Sequence, residues 1–236
     1  MGNTDVVALG GREEGRAVPD LPLRLQTVAG LIPSCGTVVD VGSDHGKLGA
    51  WCLMKKVCKS VIATDIHALP ARRTEELFTS LGLSGKSSVQ VTDGLCGIAL
   101  KEDMTIVIAG MGGLEVCKIL RSAMAEKEEI PSGMKLVLQP QRSFYEVRSF
   151  LCESGFSIRK ERIAKDRGRY YVVILCEFTG KTYEISEPER FLGPLILKEK
   201  PEYFDEYMAH QKEVMGKRAL GDPRCAAILN DWEKWL

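Results

Sequence analysis

Residues 37–49 read TVVDVGSDHGKLG, and this run places a short buried strand, a tight turn and the start of a helix in immediate succession. Thr37, Val38, Val39 and Val41 are β-branched residues of the kind that fill a pleated, buried surface. Gly42 and Gly46 let the chain turn sharply, and Leu48, Trp51, Cys52, Leu53 and Met54 carry the apolar helix beyond it. Strand, glycine turn and helix in this order make the first β-turn-α of a nucleotide-binding α/β fold. The dinucleotide fingerprint G-x-G-x-x-G needs a second glycine, so that backbone amides can approach a pyrophosphate. Here Asp44 stands in that place, two residues after Gly42. A carboxylate there repels phosphate.

S-adenosylmethionine has no phosphate and presents a cationic sulfonium and an ammonium, so acidic residues in the turn attract it by Coulomb's law. The turn therefore points to a methyltransferase more than to a nicotinamide oxidoreductase. The bland alternative is a glycine turn in some other α/β protein.

Working outward, apolar periodicity predicts a helix over Leu21–Ile32, stopped by Pro33, before the first strand. Strands follow at Ser60–Asp65, Ser88–Thr92, Thr105–Ala109 and Met134–Gln139, with helices at Pro70–Leu81, Leu114–Met124 and Ser143–Glu153. This alternation implies parallel crossovers and a doubly wound sheet covered on both faces. Phe156–Ala164 and Tyr170–Phe178 flank a short link and form an antiparallel hairpin, the usual finish of a Rossmann-like class I methyltransferase sheet. After Gly180, Pro188, Pro194, Pro201 and Pro223 punctuate the chain, and two helices joined near Gly221 are expected to form a small helical C-terminal domain. The predicted organisation is a mobile leader over 1–20, a cofactor-binding domain over 21–180 and helices over 181–236. The aromatic stripes of the tail read as helix-packing faces or as an RNA-stacking surface.

Composition is that of an ordinary globular protein, with 44% apolar and 27% charged residues. The opening residues have neither the basic start nor the apolar stretch of a signal peptide, so a cytoplasmic protein without membrane or metal, monomeric or weakly dimeric, is expected. Eight scattered cysteines with no C-x-x-C pair read as reduced core thiols. Thirty-two basic and thirty-two acidic residues balance overall, but unevenly along the chain. Between Arg142 and Val173 eight basic residues face four acidic ones, whereas from Ser186 onward eight basic residues face ten acidic ones. The basic zone is either a phosphate-contacting surface or a solvated face.

Each predicted strand end carries polar or glycine residues where an open parallel sheet binds its ligand. Asp40 ends the first strand, and Asp65 ends the second 25 residues later, the interval of an acid that accepts from ribose hydroxyls. Asp93 and Gly94 end the third, where the carboxylate could accept from the adenine amine. Gly110, Met111, Gly112 and Gly113 end the fourth, and three glycines in four residues argue for close backbone approach to a ligand. Capping of the following helix is the alternative for each aspartate, and His45 either caps the turn or touches the ligand.

RLQTVAGLI (24–32), DVGSDHGKL (40–48), TDIHALPA (64–71), TDGL (92–95), IAGMGG (108–113) and LVLQPQ (136–141) together resemble the bacterial tRNA adenine N1-methyltransferases that modify position 22 in the D-arm region, the TrmK family. The resemblance runs from about Leu23 to Phe178. It implies a Rossmann-like catalytic domain with a helical C-terminal domain, S-adenosylmethionine as cofactor and tRNA as partner. By position it assigns Arg24, Gly42, Asp44, His45, Asp65, Asp93, Gly94, Gly110 and Met111 to the cofactor and Gly112, Gly113, Gln139 and Pro140 to the target base, with no single catalytic acid or base. Two departures stand out: Gly46 replaces the family's usual alanine, a conservative change in a tight turn, and the tail is short and slightly acidic. A methyltransferase acting on another RNA site or a small molecule, and a non-catalytic RNA-binding protein on the same fold, are the rival readings.

Overall fold

The β-branched and apolar runs assemble, in a computed structural model that describes residues 17–127 and 129–236, into one seven-stranded sheet. In chain order the elements are α1 (Leu23–Leu31), β1 (Cys35–Val41), α2 (Lys47–Met54), β2 (Cys58–Asp65), α3 (Ala68–Ser80), β3 (Ser87–Val91), β4 (Met104–Ala109) and α4 (Gly113–Glu126). There follow β5 (Lys135–Gln139), α5 (Phe144–Glu153), β6 (Phe156–Asp166) and β7 (Arg169–Phe178). The strand order is β3-β2-β1-β4-β5-β7-β6. The first five strands pair in parallel, and β7 lies antiparallel to both β5 and β6. The predicted hairpin is present, with its link shortened to Arg167 and Gly168, both at positive φ. Most of the predicted leader, residues 1–16, lies outside the described residues.

Alternate side chains of each central strand go to opposite faces, and both faces are dry. Val39, Ile106, Leu136 and Ile174 face α4, α5 and the tail, while Val38, Val107, Val137 and Val173 face α1, α2 and α3. A strand order that reverses between β1 and β4 opens a crevice at their carboxyl ends.

The tail departs from the two expected helices. Four form: α6 (Glu187–Leu192), α7 (Pro194–Glu199), α8 (Phe204–Arg218) and α9 (Pro223–Asn230), with a 3-10 turn at Trp232–Trp235. Pro188, Pro194 and Pro223, read as interruptions, instead occupy first turns, where the missing N–H costs nothing, while Pro201 precedes α8. Ser186 and Glu189 add a reciprocal capping box to α6. Phe204, Tyr207, Met208, Ile228 and Trp232 are buried in the same core as the sheet, so these aromatic positions are packing faces.

Candidate active site

At the switch point lies a cleft of about 400 Å³, lined on one side by Asp40 and the turn Gly42–His45 and on the other by Ala109, Gly110 and Met111. Backbone demands explain its glycines. Gly42 and Gly110 sit at φ 70° and 83°, conformations that a Cβ would strain. Asp44 adopts φ 54°, rare outside glycine and asparagine-like residues, and its exposed carboxylate stands 3.6 Å from His45 Nε2. The turn is tied to β2, because Gly42 N and Ser43 N both donate to Thr64 O, at 2.8 and 3.1 Å. Gly46 is not an innocent replacement for alanine. It lies at φ 65°, and a Cβ there would come 2.6 Å from Thr74 Cγ2, on a threonine that is fully buried.

Asp65 is set just behind the turn. Its two carboxylate oxygens accept from Asp44 N at 3.4 Å and His67 N at 3.0 Å, so donors from two loops fix the orientation of the carboxylate. Asp93 and Gly94 lie further out, at the end of β3. Gly94 O accepts from Thr64 Oγ1 at 3.0 Å, which ties that loop to β2, while Asp93 is exposed and, with Gly94 and Asp65, lies outside the lining of the cleft.

Arg24, from the first turn of α1, reaches across 115 residues to Gln139. Gln139 is completely buried, and its Oε1 accepts from Arg24 Nη1 at 2.6 Å and from Gly110 N at 3.2 Å. Its Nε2 donates to Pro140 O at 3.1 Å. The Gln139 side chain thus fixes Arg24 and the Gly110 turn from beneath, and the Arg24 guanidinium also lies 5.8 Å from the Tyr171 ring centroid. Gly112 and Gly113 meet the loop after β5. Gly113 N donates to Arg142 O at 3.1 Å, and a Cβ on Gly113 would come 2.5 Å from that oxygen. Ser143, at φ 61°, completes this strained loop.

Sequence reasoning reads Asp40 only as the end of a strand. It is a wall of the cleft and only 5% exposed. Burial pushes its carboxyl up to about 7, while the Gly49 amide hydrogen bond pulls it the other way. Its position before the glycine turn was the available signal. Among the described residues there is no group of His, Cys, Asp or Glu arranged to hold a metal ion, and no helix long and apolar enough to cross a membrane. All eight cysteines are free thiols; six are buried, and burial raises the thiols of Cys52, Cys58, Cys117 and Cys176.

A parallel sheet closed by an inserted antiparallel strand, with an acidic glycine turn at its switch point, defines the class I methyltransferase architecture, and the family model described as Methyltransferase domain matches residues 21–174. A Bacillus subtilis tRNA (adenine(22)-N(1))-methyltransferase is 32% identical over 188 residues, 78% of each chain. The chain belongs to the family of that enzyme. Among solved structures, a candidate tRNA (m1A22) methyltransferase from Streptococcus pneumoniae superposes with a TM-score of 0.79 at 26% identity, covering 92% of this chain and 100% of the other. The S. pneumoniae protein in complex with S-adenosyl-L-methionine gives 0.78 at 25% identity, covering 90% and 98%.

Proposed function

We propose that this protein transfers a methyl group from S-adenosylmethionine to N1 of an adenine in tRNA, at position 22 in the D-arm region. The observation that carries the reading is the glycine-floored cleft at the switch point, where Asp44 stands in the place of the second dinucleotide glycine, in a chain of this family. The residues suit the cofactor. Asp44 offers negative charge to its cationic groups, Asp40 a buried carboxyl that a bound cation would favour in its ionised form, Arg24 a guanidinium to its carboxylate, and Asp65 is oriented to accept from two ribose hydroxyls. Asp93 and Gly94, outside the cleft lining but at the neighbouring strand end, are the groups offered to the adenine, and Gly42, His45, Gly110 and Met111 shape the cleft's floor and rim.

When bound, S-adenosylmethionine supplies an electrophilic methyl group on a sulfonium. N1 of adenine has an in-plane lone pair and is mostly unprotonated at neutral pH, so no strong base is required. The task left to the protein is to position the base and tolerate positive charge, and orientation alone contributes roughly 7 to 11 kcal/mol to such a step. Gly112, Gly113 and Pro140 border the place for the base, while Gln139 holds Arg24 and Gly110 in register beneath it. N1 lies on the Watson–Crick edge, so a paired target must be unstacked to enter. The test is incubation with labelled cofactor and bulk tRNA, followed by nucleoside analysis. Label appearing in 1-methyladenosine supports the reading; label in another nucleoside, or none in tRNA, removes it.

A further inference from the structure

The basic zone divides in two once its side chains are placed. Four of its eight cations are neutralised by carboxylates: Arg148 by Glu161 at 2.8 Å, Arg159 by Glu177 at 2.9 Å, Arg162 by Glu199 at 2.8 Å, and Lys165 by Glu206. Two of those acids, Glu199 and Glu206, come from the tail, so part of its negative charge is directed inward onto the hairpin. Among the described residues Arg142, Lys160, Arg167 and Arg169 have no carboxylate within 4.0 Å. Asp166 pairs in strand register with Arg169 without closing an ion pair.

Three of these unpaired cations, Arg142, Arg167 and Arg169, are exposed, and the chain carries them to the carboxyl-end side of the sheet, on which the cleft opens. Because β7 runs antiparallel to β5, with Leu138 opposite Ile174, its first residues rise past the carboxyl end of the sheet. Arg169 and Tyr171 are two apart and share a strand face, the one on which Val173 packs toward α1. Tyr171 carries Arg24 on that face, so Arg169 stands about 7 Å further along the strand, above the Arg24 side of the cleft. Arg167 and Gly168, at φ 49° and 74°, form a stiff two-residue turn of the hairpin type, which holds both cations out on a rigid tip. On the other side Arg142 leans over Gly112, its Nε 3.4 Å from where a Cβ would stand.

We infer that Arg142, Arg167 and Arg169 hold the phosphates of the RNA strand on either side of the target nucleotide, and that the acid-paired cations lower on the hairpin do not. This rests on the tRNA reading given above and assigns the backbone contacts that would steady a base while it is drawn into the cleft. Binding of tRNA is to be followed against salt for wild type, Arg142→Ala, Arg167→Ala with Arg169→Ala, and the control Arg159→Ala with Arg162→Ala. Removing one cation from a phosphate should flatten the log–log slope by roughly 0.7 to 0.9, so the tip double variant loses roughly twice that and the control keeps the wild-type slope. Lysine at 167 and 169 should restore the slope, since a phosphate needs the charge. KM for tRNA should rise with kcat retained, and cofactor affinity should be unchanged throughout. If the wild type methylates tRNA while the tip and Arg142 variants keep its slope, or the control loses it, this assignment is wrong and the enzymatic reading survives. If the wild type neither binds nor methylates tRNA, both fall together.

Discussion

Replacing Arg148 with methionine should cost this protein a large share of its stability. Arg148 and Glu161 are both fully buried, and their ion pair sits where the tail meets the sheet. Arg148 Nη1 donates to Arg190 O and Phe191 O, each at 3.0 Å, at the end of α6, and Glu161 Oε2 accepts from Leu195 N at 2.9 Å and Ile196 N at 3.3 Å at the start of α7. Between them Gly193 turns the chain at φ 106°, and a Cβ there would come 2.7 Å from Arg148 Nη2 and 2.8 Å from Glu161 Oε2. Removing one partner of a buried pair leaves the other charge without compensation and costs about 3 to 5 kcal/mol. A typical domain is stable by only about 5 to 15 kcal/mol. With a urea slope of about 3 kcal/mol per M, the midpoint should fall by about 1 to 1.7 M. Adding Glu161→Gln removes the stranded charge but keeps an oxygen for Leu195 and Ile196, so the double variant should recover at least about half the loss. A single variant within about 1 kcal/mol of wild type, or a double variant worse than the single, would refute the reasoning.

Asp40 gives a pH signature. Its carboxyl is held at about 7 in the folded protein against an ordinary value of 3.8, so folding favours the protonated form. That contribution is complete below pH 3.8, declines as pH rises toward 7 and is flat above, a difference of about 4 kcal/mol at 1.36 kcal/mol per unit. Asp40→Asn should remove that dependence in urea melts taken from pH 4 to 8, and an unaltered profile would assign it to other groups. Asp65→Ala should weaken S-adenosylmethionine binding by about 1.5 to 3 kcal/mol for each ribose hydrogen bond removed, and unchanged calorimetric affinity in a folded variant would remove Asp65 from the site. Gly46→Ala should destabilise the fold by about 1 to 2 kcal/mol through its left-handed backbone alone, with added cost from Thr74 that Thr74→Ser relieves; equal thermal stability of the variant and wild type contradicts this.

The sheet was readable because its information is local. A β-branched run closed by Asp40 and Gly42, or a run ending in Asp65, announces both the strand and the end at which ligands sit. Contacts between distant segments were not readable. Nothing near Gln139 reveals that its amide is engaged by an arginine 115 residues earlier. Likewise Arg159, Arg162 and Lys165 read as a continuous basic surface until Glu177, Glu199 and Glu206 are seen to neutralise them. The two short tail helices were hidden for another reason: Pro188 and Pro194 break a helix or begin one according to position, and only the capping geometry of Ser186 or the bend at Gly193 decides which.

The place of β7 in the sheet also constrains how the chain can be made. β5 emerges from synthesis with Leu136, Val137 and Leu138 along an edge whose partner, β7, is completed about 40 residues later. At roughly 5–20 residues per second, that apolar edge stays open for several seconds. β6 arrives first yet ends outside β7, so it cannot fill the gap in its stead. A nascent chain stalled before Arg169 would carry β5 with one open, nearly chargeless edge, the kind of surface that recruits other chains. The element that completes the sheet is thus also the one whose delay exposes the protein to aggregation.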